Sequence, residues 1–128
     1  MKRYFSLKPY QKRVKKPWGW EIILTRKESS YTGKIIFVRR GSRLSLQYHD
    51  QKEETLCLFS GQAEIWLEDN QGKIHHLPME SQKGYRINRY QKHRLVALTD
   101  SYFFEVSEPE KGTTYRLEDD YGRKNEKK

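Results

Sequence analysis

Three observations predict an all-β domain, either a sandwich or a closed barrel. Short strand-like runs recur between residues 20 and 107, separated by Gly, Pro, Asn and Asp at turn spacing. Three Trp, nine Tyr and five Phe supply the aromatic side chains that strands favour. No stretch carries the 3.6-residue apolar period of an amphipathic helix. At 128 residues the chain is long enough for one domain with its own core.

Residues 1–15 read as a basic arm without clear periodicity, and 16–123 as the domain. Pro17 keeps Lys16 out of the α region and Gly19 permits a turn, so Lys16-Pro17-Trp18-Gly19 opens the ordered part. Residues 20–25 read as a strand, 26–33 as a loop, and KIIFVR at 34–39 as a β-branched strand. Arg40-Gly41 turns into two further runs, joined near Asp50–Lys52 and closed by Gly61. In 62–68, Ala63, Ile65 and Leu67 alternate with Gln62, Glu64, Trp66 and Glu68, and Asp69-Asn70-Gln71-Gly72 signals a hairpin returning through 73–77. Residues 78–83 connect to a strand at 84–87, 88–93 form a turn, and 94–98 and 102–107 are strands. From Glu108 the pattern weakens, ending in a charged tail at 124–128.

The net charge of +9 invites a nucleic-acid reading, but its distribution opposes one. Residues 1–16 carry seven basic side chains and no acid, and 122–128 add +3, which leaves 17–121 at −1. Basic tails attract anions without specificity, and no nucleic-acid-binding module is present. The one cysteine, Cys57, has no internal partner for a disulfide. With no long apolar run or signal-like start, the expectation is a cytoplasmic protein without a membrane segment.

The stretch Gly41–Gly61, GSRLSLQYHDQKEETLCLFSG, carries the chemistry. Strand side chains alternate, so Arg43, Ser45, Gln47 and His49 share one face, with Leu44, Leu46 and Tyr48 on the other. Gln47 and His49 then lie about 7 Å apart along the strand. If that face lines a lumen, Glu54 from the next strand joins them, and His93 is the candidate for a fourth ligand. Two imidazoles, a carboxylate and an amide oxygen suit a divalent metal. A polar strand facing solvent is the competing reading of the spacing alone. His75 and His76 are adjacent and point to opposite faces, and Cys57 has no His base placed beside it.

The order Gly41, Gln47-x-His49, Glu54, Gly61 resembles the first motif of the cupin superfamily, with Gln47 in place of the first histidine. His93 in INRYQKHR is similar to the histidine of the second motif. RLSLQYH at 43–49, KPWG at 16–19, KHR at 92–94 and RLEDDYGR at 116–123 resemble, in family order, the C-terminal domain of type II mannose-6-phosphate isomerases. Asn88 and Tyr90 stand where that family usually has proline and glycine. The resemblance implies a single-domain cupin (a double-stranded β-helix, or jelly-roll barrel) that isomerises a hexose phosphate between aldose and ketose. It further implies a divalent metal, zinc foremost, held by Gln47, His49, Glu54 and His93, and a substrate phosphate held by Arg43 or Arg123. For each arginine, an ion pair with Glu118 or Asp119 is the structural alternative. Lys92, Tyr85 and Glu53 are the candidate bases. The first alternative is a non-catalytic cupin that binds a metal and a sugar or sugar nucleotide, followed by a basic nucleic-acid-associated protein and, as a minor option, oxygenase chemistry. Leu44, Leu46 and Tyr48 need cover, from the second sheet layer, the N-terminal arm or a partner subunit, and a homodimer is expected because two-fold dimers are the commonest assemblies.

Overall fold

The computed structural model describes residues 5–128. Among the described residues, twelve strands form two six-stranded sheets. β1 (Lys12–Lys16), β2 (Gly19–Ile23), β3 (Thr32–Val38), β10 (Ser101–Ser107), β5 (Glu54–Ser60) and β8 (Gly84–Ile87) make the first sheet, in that spatial order. β12 (Glu126–Lys127), β11 (Thr113–Glu118), β4 (Leu46–His49), β9 (His93–Ala97), β6 (Ala63–Glu68) and β7 (Ile74–Pro78) make the second. All pairings between these strands are antiparallel. From β3 to β6 and from β7 to β11 the chain crosses between sheets at every step, the connectivity of a jelly roll.

The inward face of each central strand changes character along its length. On β3, Val38 and Ile36 are buried among apolar neighbours, while Lys34 on the same face is buried among charges. β5 runs from Leu58 and Leu56 to Glu54, β10 from Phe103 to Glu105, and β9 from Ala97 and Leu95 to His93. One end of the barrel is therefore a close-packed core containing Trp18, Phe103, Ile65 and Ile87. The other end is a cavity of about 260 Å³. The period of two that defines a strand holds throughout, and polarity alone separates core from site.

The sheets reach past the limits read from the sequence. β1 begins within the basic arm and pairs residue for residue with β2, from Lys12 opposite Ile23 to Lys16 opposite Gly19. Its lysines and arginine suit an edge, where charge discourages pairing with another chain. β11, where the pattern weakened, is inserted beside β4, and β12 pairs its far side within the charged tail. The inward residues of β11, Thr114 and Arg116, face the cavity and so lack the apolar signature of a core strand.

The row Leu44, Leu46 and Tyr48 does not form the expected outward face. The strand is irregular before Leu46, so Leu44 turns inward, lining the cavity and packing on the core. Tyr48 stacks on Tyr115 of β11, with ring centroids 4.9 Å apart. Exposed apolar side chains occupy the outer face of the first sheet instead, among them Phe59, Phe104 and Val106.

The two glycines that bound the central stretch both have positive φ, 77° at Gly41 and 101° at Gly61. They differ in surroundings. A Cβ on Gly61 would meet the Asp100 carbonyl oxygen at 2.4 Å, whereas one on Gly41 meets nothing within 4 Å. Gly61→Ala should therefore cost roughly 2–4 kcal/mol, from backbone strain plus a close contact. Gly41→Ala should cost about 1 kcal/mol, from strain alone. Urea unfolding of both variants tests this, and equal losses would contradict the close-approach account.

Candidate metal centre

Three buried side chains converge where the inward faces turn polar. His49 closes β4, Glu54 opens β5 and His93 opens β9, and one ligand atom from each lies within 4.8 Å of the others. Glu54 Oε1 is 3.2 Å from His93 Nε2 and 3.7 Å from His49 Nε2. Gln47 lies directly opposite His93 in the β4–β9 ladder and lines the same cavity. The structure thus brings Gln47, His49, Glu54 and His93 to one end of the barrel. His93 belongs to a strand rather than to the turn expected at 88–93, which fixes its direction.

Each imidazole is held from behind. His93 Nδ1–H donates to the Gln91 carbonyl at 2.9 Å, so in the neutral ring Nε2 presents its lone pair toward Glu54. His49 Nδ1 lies 2.9 Å from Thr114 Oγ1, which sets that ring's orientation. His93 Nε2 is buried with no hydrogen-bond partner. A lone pair facing a carboxylate oxygen in a dry site is repulsive unless a cation lies between them. The donor set, its second-sphere support and this orphaned nitrogen together fit a divalent metal.

The turn before His93 reaches the site through its backbone. Tyr90 N–H donates to the His49 carbonyl at 2.7 Å. Tyr90 has φ 67°, a left-handed conformation that glycine adopts freely and tyrosine does not. The chain keeps the turn despite lacking a glycine there.

A charge network backs the cluster. Lys52 is buried and lies 3.0 Å from Glu54 Oε2, 3.3 Å from Glu105 Oε2 and 3.1 Å from Glu110 Oε1. Lys34 lies 2.6 Å from Glu110 and 3.7 Å from Glu21. Burial alone would raise the Glu54 pKa, but the Lys52 ammonium beside it holds it well below the ordinary carboxylate value. Burial lowers the Lys52 pKa in turn, and Glu105, Glu54 and Glu110 more than reverse that. Glu105 is raised, by burial and by the Glu54 charge. Burial pushes the His49 imidazole down to about 4, so near neutrality it is in its metal-binding form.

A family model described as mannose-6-phosphate isomerase C-terminal matches residues 6–126. The chain belongs to this family. No curated protein matches this cupin in sequence. Oxalate decarboxylase from Bacillus subtilis superposes with a TM-score of 0.70 at 17% identity, covering 85% of this chain and 30% of the decarboxylase. KdgF from Halomonas sp. gives 0.64 at 17% identity, covering 80% of this cupin and 89% of KdgF. The capsular polysaccharide assembling protein CapF from Staphylococcus aureus gives 0.63 at 13% identity, over 91% of this chain and 32% of CapF. The cupin thus spans less than a third of the decarboxylase, and at these identities the likeness establishes the fold.

The remaining site candidates separate. Arg43 does not line the cavity, because the irregularity before Leu46 turns it outward to a bidentate pair with Asp120 at 2.8 and 2.9 Å. Arg123 does line it, and is paired to Asp119 at 2.9 Å. Lys92, Tyr85 and Glu53 do not line the cavity. His75 pairs with Asp69 and His76 stacks on Trp66, both away from the metal ligands. Sequence reasoning missed Lys34, Lys52, Glu105, Glu110, Thr114 and Arg116. For Lys34 and Glu105 a signal existed, since they share parity with Ile36 and Phe103. Long-range pairing alone brings in the others.

A pH dependence follows for the metal-free protein. The unfolded chain protonates His49 near 6.5, while the folded protein resists until about 4. The folded state binds fewer protons between these values, so this contribution to stability is intact above pH 6.5 and lost as pH falls toward 4. The expected loss is of order 3 kcal/mol. Urea unfolding of wild type and His49→Gln across this range tests it, with a shallower acid slope expected in the variant.

Proposed function

We propose that this cupin is a metal-dependent aldose–ketose isomerase of the mannose-6-phosphate isomerase type, acting on a hexose phosphate. The observation that carries the reading is the His49–Glu54–His93 cluster, with Gln47 beside it, in a cavity of about 260 Å³. Membership of the family over residues 6–126 supports it. A cavity of that size suits one small ligand.

A divalent ion held by Gln47, His49, Glu54 and His93 supplies Lewis-acid polarisation of oxygen when bound. The chain itself must carry a proton between C1 and C2. Glu105 is the proposed carrier, because it lines the cavity and is held above the ordinary carboxylate pKa, the direction that suits a general base. Ser107 Oγ donates to Glu105 Oε2 at 2.9 Å and Lys52 lies 3.3 Å from the same oxygen, which fixes the carboxylate in the wall.

Zinc is the proposed metal, from the family resemblance and the nitrogen–oxygen donor set. Manganese is the alternative, since the fold is shared with oxalate decarboxylase, whose Mn(II) centres are known. Metal analysis of the purified protein, with an assay interconverting mannose 6-phosphate and fructose 6-phosphate, tests the proposal. The expected result is near one metal per chain and turnover, with His49→Ala reducing turnover roughly 100-fold or more and losing metal. Metal without turnover on any hexose phosphate would replace the isomerase reading with a metal-binding cupin that holds a sugar or sugar nucleotide.

The homodimer belongs to the proposal too. Its supporting observation is the apolar outer face of the first sheet, where Phe59, Phe104 and Val106 are 54%, 38% and 62% exposed. Sedimentation at micromolar concentration should show twice the 15.5 kDa chain mass, and a purely monomeric species would remove the dimer.

A further inference from the structure

Five buried side-chain polar atoms lack a hydrogen-bond partner among the described residues, and all belong to residues that line the cavity. Two are part of the metal centre. His93 Nε2 faces Glu54, and Glu54 Oε2 faces Lys52 as an ion pair. The other three are Trp18 Nε1, Ser45 Oγ and Arg116 Nε. A buried polar group without a partner is rare and costly, so three in one cavity need an explanation. Indole and guanidinium N–H groups only donate, and a serine hydroxyl donates or accepts. The shared demand is for acceptor oxygens.

The placement of these residues narrows the demand. Arg116 lies directly opposite Gln47 in the β4–β11 ladder, and Ser45 is two residues before Gln47 on the same side of the chain. Both are therefore next to the metal centre along the second sheet. Trp18 approaches from the first sheet, just ahead of β2. The Arg116 side chain is only 10% exposed, and its outer edge is already engaged. Nη1 donates to the Lys124 carbonyl at 2.6 Å and Nη2 to Glu126 at 3.1 Å. The C-terminal segment thus grips the tip of the guanidinium and leaves Nε without a partner. Lys16, Arg123 and Lys128 also line the cavity, each paired with a carboxylate, of Glu21, Asp119 and Glu110 respectively.

We propose that Trp18, Ser45 and Arg116 form an anion-binding subsite beside the metal centre, and that the phosphate of a sugar phosphate occupies it. Arg116 replaces Arg43 as the phosphate-holding arginine, because Arg43 is committed to Asp120 outside the cavity. The C-terminal segment, through Lys124 and Glu126, positions Arg116. The choice of phosphate over carboxylate rests on the isomerase reading, while the donor set itself does not.

Calorimetry on metal-loaded protein tests the subsite without requiring turnover. The probes are inorganic phosphate, fructose 6-phosphate, fructose and glucuronate. Wild type should bind inorganic phosphate, and fructose 6-phosphate at least about 10-fold more tightly than fructose. Arg116→Gln should abolish most of that preference with metal content unchanged, and Ser45→Ala should weaken it about 3- to 10-fold. Arg86→Gln, which removes an exposed arginine paired with Glu53 outside the cavity, serves as the charge control and should bind as wild type does. Thermal unfolding of each variant checks folding, and Ser45→Ala keeps the test open if Arg116→Gln does not fold. Wild-type preference retained in Arg116→Gln or in Ser45→Ala overturns the subsite, as does a wild type that treats fructose 6-phosphate and fructose alike. Preference for glucuronate over fructose 6-phosphate overturns the phosphate assignment. Binding that depends on Arg116 in a protein with no isomerase activity would end the isomerase reading and keep the subsite. Turnover with unchanged binding in Arg116→Gln would do the reverse.

Discussion

The ammonium of Lys52, buried among three carboxylates, is the interaction on which the site depends. It touches Glu54, Glu105 and Glu110 from a position 3% exposed to solvent. Burying a carboxylate without a partner favours its protonation, and a protonated Glu54 is a poor metal ligand. Lys52 keeps Glu54 ionised in a dry barrel and ties it to β10 and to the loop that carries Glu110. Glu110 is also shared with Lys34 and Lys128, so the network spans β3, the C-terminal segment and the edge of the metal centre. Buried pairs of this kind add little net stability, but removing one partner is costly. Their consequence here is a fixed, charged wall beside the His49–Glu54–His93 cluster.

The barrel realises this by dividing each central strand between two tasks. Leu56 and Leu58 of β5 belong to the core, while Glu54 on the same face belongs to the site. β9 makes the same division at His93, β3 at Lys34 and β10 at Glu105. Because successive strands cross between sheets, residues far apart in sequence meet at one end with their backbones already fixed by ladder hydrogen bonds. The candidate metal ligands therefore sit on rigid elements, and the two imidazole rings are oriented by Thr114 and by the Gln91 carbonyl. The unpaired donors of Ser45 and Arg116 sit on the same framework, with Arg116 directly opposite Gln47.

Much of the fold was legible because strands declare themselves by alternation and by their turns. The hairpin at Asp69–Gly72 and the strands on either side of it followed from local chemistry alone. β1, β11 and β12 were not legible for a physical reason. β1 and β12 are edge strands with charged side chains, and the inward residues of β11 face a cavity, so none has the apolar period that marks a buried strand. The same principle misplaced Arg43. Parity assumes an unbroken strand, and one irregularity before Leu46 exchanged Arg43 for Leu44 at the cavity wall.

What the sequence determined by itself was the class of fold and the candidate metal-ligand set. Both are written in local order: spacing within a strand, glycines at positive φ, and motifs whose residues stand in family sequence. What only the tertiary structure decided was the chemistry around those ligands. Lys52, Glu105, Thr114 and Arg116 acquire their roles from partners up to 65 residues away, as Thr114 does beside His49. No local pattern encodes such a pairing. It exists only once the two sheets close and the inward-facing charges, left without water, must answer one another.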